Sequence, residues 1–354
     1  MTSPGPRNDG RFVGDAEISV ITPCHNAREF LSETVRSVAE QAGPSLEHIL
    51  VDDGSTDGSG DLVDDFATRL PHVRSLRLPR NAGASAARNA GADIASGRYW
   101  MFLDADDLLT PGTLAGMASA LDRTDADLAI CRWDRLRETS AGWVVEEAEV
   151  DMPPEDPVAA LRSWIAGHAW TPPCCILWRR EAFTAAGGWD ERMSLNDDGH
   201  LVMRALTQGA GITIVGTGRG QYRSHGTTRL SLSQSFLLEE KLRSEVAVID
   251  DIRERLARQS RVSAFAQALS TAYHRAALSG FKAGHVPLAR HCEALGRSVG
   301  GGQIVSPTAI GRLLERVLGM QRKEAAVQIL ARMGFAALRR RDLVALRRSL
   351  GLSQ

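Results

Sequence analysis

The chain has 354 residues, of which 43% are hydrophobic, and a formal charge of −1 at neutral pH. That is ample for a buried core, in two domains or in one large domain with an extension. With 42 basic and 43 acidic residues, nothing global points to nucleic acid or another polyanion.

The five cysteines (Cys24, Cys131, Cys174, Cys175, Cys292) are an odd set without CxxC spacing. They read as reduced, packed thiols rather than a disulfide framework or zinc site. No run reaches the roughly 18 apolar residues of a bilayer span, and residues 1–16 lack the apolar core of a signal peptide. The expected location is therefore cytoplasmic.

In chain order, 1–16 is a Pro/Gly-rich, charged lead-in with the composition of a disordered segment. Ile18 to Thr22 is a β-branched run suited to a buried strand, Pro23 to Asn26 turns out of it, and Phe30, Leu31, Val35, Val38 and Ala39 recur at helical spacing. The unit repeats: strand 48–51 breaks into Asp52-Asp53-Gly54-Ser55 and a helix near 62–70, then strand 73–78 leads through Asn81 to Ser85 into a small-residue helix at 86–95. Strand Tyr99 to Leu103 follows and stops at Asp104, Ala105, Asp106 and Asp107. Such alternation predicts a mostly parallel sheet flanked by helices, with ligands in the crevice at the strands' carboxyl ends.

Asp104 and Asp106, two apart in an extended chain, point the same way, with Ala105 leaving room between them. Oxygen ligands so placed suit Mg2+ or Mn2+ with positions left open for substrate phosphate. Beyond them the pattern gives a helix at 111–121, a strand at 126–131, a polar irregular insertion at 134–157, a helix at 199–208 and a strand at 212–215. From about 235 the periodicity is helical throughout. Segment 331–354 sets six arginines against Asp342, so it reads as a packed helix with a solvated basic face or as an interfacial one. The expected division is 1–16, a catalytic unit at 17–232 and a helical unit at 233–354.

The stretches ISVITPCHNAREFLSETVRSV, HILVDDGSTDGS, NAGASAARNAGADIASGRYWMFLDADD, GGWDE and NDDGHLVMRAL, in that order, resemble the family 2 glycosyltransferases. These are inverting enzymes of the GT-A fold that use nucleotide-activated sugars. The resemblance covers 18 to about 228 and implies an α/β fold of GT-A type, a nucleoside-diphosphate sugar donor (UDP is the expected nucleotide) and a hydroxyl-bearing acceptor. It implies that Thr22, Pro23, His25, Asn26, Asp52 and Asp53 hold base and ribose, and that Gly83 and Arg88 face the diphosphate. Asp104 would then meet ribose or sugar hydroxyls, and Asp106 a divalent cation (Mn2+ or Mg2+), with His225 as an additional ligand.

By the same resemblance Asp198, followed by Leu201 and Arg204, is the base. Asp197 orients the acceptor, standing where relatives usually carry Glu, and Trp189 forms an apolar wall beside sugar or acceptor. The C-terminal helices would supply acceptor choice, homodimerisation or peripheral contact with the inner face of the membrane. Three rival readings fit the residues less well. A dehydrogenase from Gly216-Thr217-Gly218-Arg219-Gly220 has its third glycine misplaced, a sugar nucleotidylyltransferase lacks a Gly-rich basic loop after strand one, and a silent nucleotide-sugar binding scaffold would lack the base or metal pair.

Overall fold

A computed structural model describes residues 16–140, 142–148, 152–225, 238–300 and 309–332. The expectations for residues 1–15 and for most of 331–354 lie outside the described residues. Strands β1 (Ile18–Cys24), β2 (Leu46–Asp52), β3 (Val73–Arg77) and β4 (Tyr99–Phe102) alternate with helices α1 (Leu31–Ala39), α2 (Ser59–Arg69) and α3 (Ala84–Ile94). These strands lie parallel in the order β3-β2-β1-β4. The chain winds outward from β1 to β3, then returns to place β4 on the other side, so the topological switch point falls between β1 and β4.

The remainder of the sheet is mixed. It contains β5 (Leu108–Leu109), β6 (Leu128–Thr139), β7 (Gly142–Glu147), β8 (Ile176–Arg179) and β9 (Ile212–Ser224), with helix α4 (Thr113–Arg123) after β5. β8 runs antiparallel to both β4 and β6, while β6 and β9 are parallel with a register shift between Cys131 and Arg132. The segment read as an irregular insertion is instead a hairpin, in which Asp134 to Thr139 pair with Glu147 to Gly142. The glycines at 216–220 fall inside β9 rather than in a phosphate loop. A Cβ on Gly218 would collide with Thr113 of α4, and one on Gly220 with the Cys175 thiol.

Alternation along β4 loads both faces of the sheet: Trp100 and Phe102 enter one core, Tyr99 and Met101 the other. α4 covers the second with Leu114, Met117 and Leu121. The first is covered by α5 (Pro157–Ala166), α6 (Arg180–Ala186) and α7 (Asp197–Thr207), and by α8 (Glu239–Arg258), α9 (Val262–Ala283) and α10 (Val286–Gly300). α5 starts where Asp156 accepts from Ala159 N at 2.7 Å ahead of Pro157, and stops at left-handed Gly167. A last helical stretch, α11 (Ala309–Arg332), is broken at Gly319.

No helix of the described residues is long and apolar enough to cross a membrane. The five thiols are free and buried. Phe265 of α9 is 1% exposed within the core that also holds Trp100, Phe102 and Trp178 of the sheet. Phe265→Ala is therefore expected to cost about 3–5 kcal/mol in urea unfolding; a cost well below that would mean the helical layer is not part of this core.

Candidate active site

The strand ends around the switch point gather most of the expected residues, beginning with the two loops after β1 and β2. His25 Nδ1–H donates to the Asp53 carbonyl at 2.9 Å, and Asn26, at φ 52°, accepts from Thr56 N at 2.8 Å. Both side chains are exposed at the rim. Asp53 accepts from Ala82 N at 2.7 Å and Gly83 N at 2.8 Å, one per carboxylate oxygen, and so ties the β2 loop to the turn before α3. Gly83 has φ 96°, which only glycine adopts cheaply. Asp52 is buried and takes Ser55 N at 3.2 Å.

Thr22 and Pro23 do not reach the cleft. Both are buried within β1, and Thr22 Oγ1 lies 2.9 Å from His48 Nε2.

At the end of β4 the acids separate. Asp104 Oδ1 accepts from Arg88 Nη2 at 2.6 Å, whereas Asp106 Oδ2 accepts from His225 Nε2–H at 2.6 Å. Ala105 is buried and its carbonyl accepts from Thr34 Oγ1 at 2.9 Å. Asp107 is 1% exposed, and Arg223 N donates to its Oδ1 at 2.8 Å. Burial, with Asp106 and Asp104 alongside, pushes its carboxyl well above the usual range.

Among the described residues no group of three or more His, Cys, Asp or Glu side chains is placed to hold a metal ion. Asp106 and His225 nonetheless touch, and a carboxylate oxygen with an imidazole nitrogen is a donor set that fits Mn2+ better than Mg2+, which prefers oxygen ligands alone. Asp104, expected to share that role, is turned to Arg88.

Arg88 is held on three sides. Its side chain is 7% exposed, and its second amino group, Nη1, reaches Asp197 Oδ2 at 3.2 Å. Its guanidinium lies 4.3 Å over the Trp189 ring. Rather than standing open toward a diphosphate, the cation is clamped between two carboxylates on an indole. Trp189 is likewise 4% exposed, edge-to-face with Phe102 at 5.2 Å, so it is a floor beneath Arg88 and not an open acceptor wall. Asn89 fixes it through a reciprocal pair to the Trp189 main chain, 2.9 Å each way.

Asp197 and Asp198 open α7, where the helix N-terminus favours negative charge. Asn196 adopts φ 58° there, and its side chain occupies the space a Cβ at Gly199 would need. Ser85 Oγ donates to Asp197 Oδ2 at 3.0 Å beside Arg88. Asp198 accepts from Gly199 N at 2.8 Å and from Trp170 Nε1–H at 2.9 Å. Desolvation, then the neighbouring Asp197 charge, push its pKa up to about 6 against the pull of those two donors and Arg88. Arg204 is buried, donating to the carbonyls of Ala186 at 2.9 Å and Gly188, so it closes the α6 turn rather than facing a ligand.

Trp170, Ser85 and the Arg223–Glu33 pair at 2.8 Å were not singled out from sequence. Trp170 stood in an apolar run, and nothing local says that its loop reaches a residue 28 positions on. The arrangement as a whole links an acidic strand end to an acidic helix start through one cation.

A family model, glycosyl transferase family 2, matches residues 19–184. The chain is 39% identical over 128 residues to the "Uncharacterized glycosyltransferase YibD" of Escherichia coli (strain K12), covering 36% of this chain and 37% of that one. It spans just over a third of the length of the first curated relatives it matches. Among solved structures, residues 1–349 of S. aureus TarS in complex with UDP-GlcNAc align with TM-score 0.65 at 17% identity, over 90% of this chain and 92% of that one. GalNAc-T7 with UDP, GalNAc and Mn2+ aligns with TM-score 0.53 at 16% identity, over 66% and 48%. These likenesses establish the GT-A fold.

Arg88→Met should leave Asp104 and Asp197 without their cation and cost about 3–5 kcal/mol in denaturant unfolding. Arg88→Lys should recover only part, because an ammonium cannot fork to two carboxylates. Full stability in Arg88→Met would remove the clamp from the account.

Proposed function

We propose that the chain, which the glycosyl transferase family 2 model matches over residues 19–184, transfers a sugar from a nucleoside-diphosphate donor to an acceptor hydroxyl with inversion. The observation that carries the reading is the Arg88 bridge, which sets Asp104 at the donor-side strand end next to Asp197 and hence Asp198 on the acceptor side. UDP is the proposed nucleotide, since the structural neighbours include UDP-GlcNAc and UDP complexes. The exposed His25 and Asn26 rim and the buried Asp52 turn would receive base and ribose.

Asp198 takes the acceptor proton as that oxygen attacks the anomeric carbon. The bond from that carbon to the β-phosphate oxygen breaks, and its electron pair leaves with the nucleoside diphosphate. Asp106 and His225 would hold a divalent cation, which when bound offsets the charge on the leaving diphosphate. With a pKa of about 6, Asp198 is mostly ionised at neutral pH and can accept that proton. We place the protein in the cytoplasm, with the C-terminal helices as its contact to membrane or to a second copy.

Asp198→Asn should lower turnover by about 10²–10⁴-fold while leaving UDP binding intact. In the wild type, kcat/KM should fall about tenfold per pH unit below about 6 and level off above it. A flat profile between pH 5 and 7 would count against Asp198 as the base. Asp106→Ala should abolish the extra thermal stabilisation that Mn2+ gives a UDP complex; if the Mn2+ increment survives, Asp106 is not a ligand.

A further inference from the structure

The base has one neighbour that no motif supplies. Trp170 lies in the loop between α5 and the short turn Pro173–Cys175, and its Nε1–H donates to Asp198 Oδ2 at 2.9 Å. Its ring is edge-to-face with Trp133 of β6 at 5.3 Å and with Tyr222 of β9 at 5.4 Å. Those two rings also meet each other, at 5.9 Å. The indole is thus braced by two neighbouring strands, yet it stays 36% exposed while Trp133 is buried. A rigid, half-open indole beside a carboxylate offers an apolar surface next to a hydroxyl acceptor group.

A carboxylate has about four acceptor sites. Gly199 N occupies one on Oδ1 and Trp170 one on Oδ2, so each oxygen keeps a lone pair for an incoming hydroxyl, while two donors hold the group against rotation. The charges facing Asp198 are Asp197 from its own helix and Arg88 from α3. Since Arg88 is engaged by Asp104 and Asp197, the side open to an acceptor is acidic, and like charges repel an anionic group there.

We propose that Trp170 is the acceptor platform of this site: its indole N–H positions the Asp198 carboxylate, and its open surface receives the apolar face of an uncharged pyranose whose hydroxyl meets Asp198. The assignment rests on the transferase reading above and names the acceptor class for it. Trp170 is a positioning residue toward the base and a binding residue toward the sugar.

Trp170→Phe keeps an aromatic surface and removes the donor; Trp170→Ala removes both. Carboxyl 13C NMR of aspartate-labelled protein, with Asp198→Asn assigning the signal, should show Asp198 titrating about one pH unit higher in Trp170→Phe, because a donor to the ionised form is gone. An unchanged midpoint overturns the positioning role. Saturation-transfer NMR with methyl β-D-glucopyranoside and methyl β-D-galactopyranoside, in the presence of UDP and Mn2+, reads the platform. Signal in wild type and Trp170→Phe that vanishes in Trp170→Ala supports it. Equal signal in Trp170→Ala, no signal in wild type, or stronger binding of glucose 1-phosphate overturns it.

UDP-induced thermal shifts on the same samples separate the two levels. Failure at Trp170 with UDP still bound leaves the transferase reading standing, whereas a wild type that binds no UDP sinks that reading and this one with it.

Discussion

One guanidinium determines how the cleft is assembled. Arg88, nearly sealed from solvent, cannot remain charged there without carboxylates, and Asp104 and Asp197 meet that demand from a strand end and a helix start 93 positions apart in sequence. The Trp189 ring beneath it supplies a face for the cation and leaves no room for water on that side. α3, β4 and α7 can therefore adopt only the mutual placement that brings both acids to the same fork. Its buried Nε has no partner among the described residues, a residual cost the two ion pairs must outweigh.

The chain writes its site acids in adjacent pairs and divides the labour within them. Asp107 is buried and holds the Arg223 main chain, while Asp106 stays partly open beside His225. Asp197 is taken by Arg88 and Ser85, while Asp198 keeps lone pairs free. Neighbouring residues on a strand end or a first helical turn point in different directions, so a doubled acid gives one group held by the scaffold and one left partly open. The pair after β2 differs: Asp53 is saturated by two backbone donors and Asp52 is buried on its own turn.

Legibility in sequence followed the range of the interaction. The three strand–helix units before β4, and β4 itself, were readable because short β-branched or aromatic runs and helical spacing are local signals. So was the placement of Asp104, Asp106, Asp197 and Asp198 at element ends. The β7 hairpin was not: Val144 and Val145 are both exposed, so the strand has no buried face and shows no hydrophobic alternation. The inward turn of Thr22, the clamping of Arg88, the burial of Trp189 and the reach of Trp170 each depend on partners brought in from distant segments, and residue identity alone does not disclose them. His225 could be suspected as a lone histidine on a late loop, but only the fold puts it against Asp106.

The rear of α7 is also anchored. His200, fully buried two residues after Asp198, donates Nε2–H to Asp251 of α8 at 2.8 Å, and Arg255 holds the same carboxylate at 2.6 Å, which keeps Asp251 strongly acidic. Helix α7 is thus gripped at its front by the Arg88 clamp and behind by α8. Any displacement of α8 would strain the His200–Asp251 hydrogen bond and be felt at the first turn of α7, so the C-terminal helices are mechanically tied to the acidic helix start rather than merely appended to it.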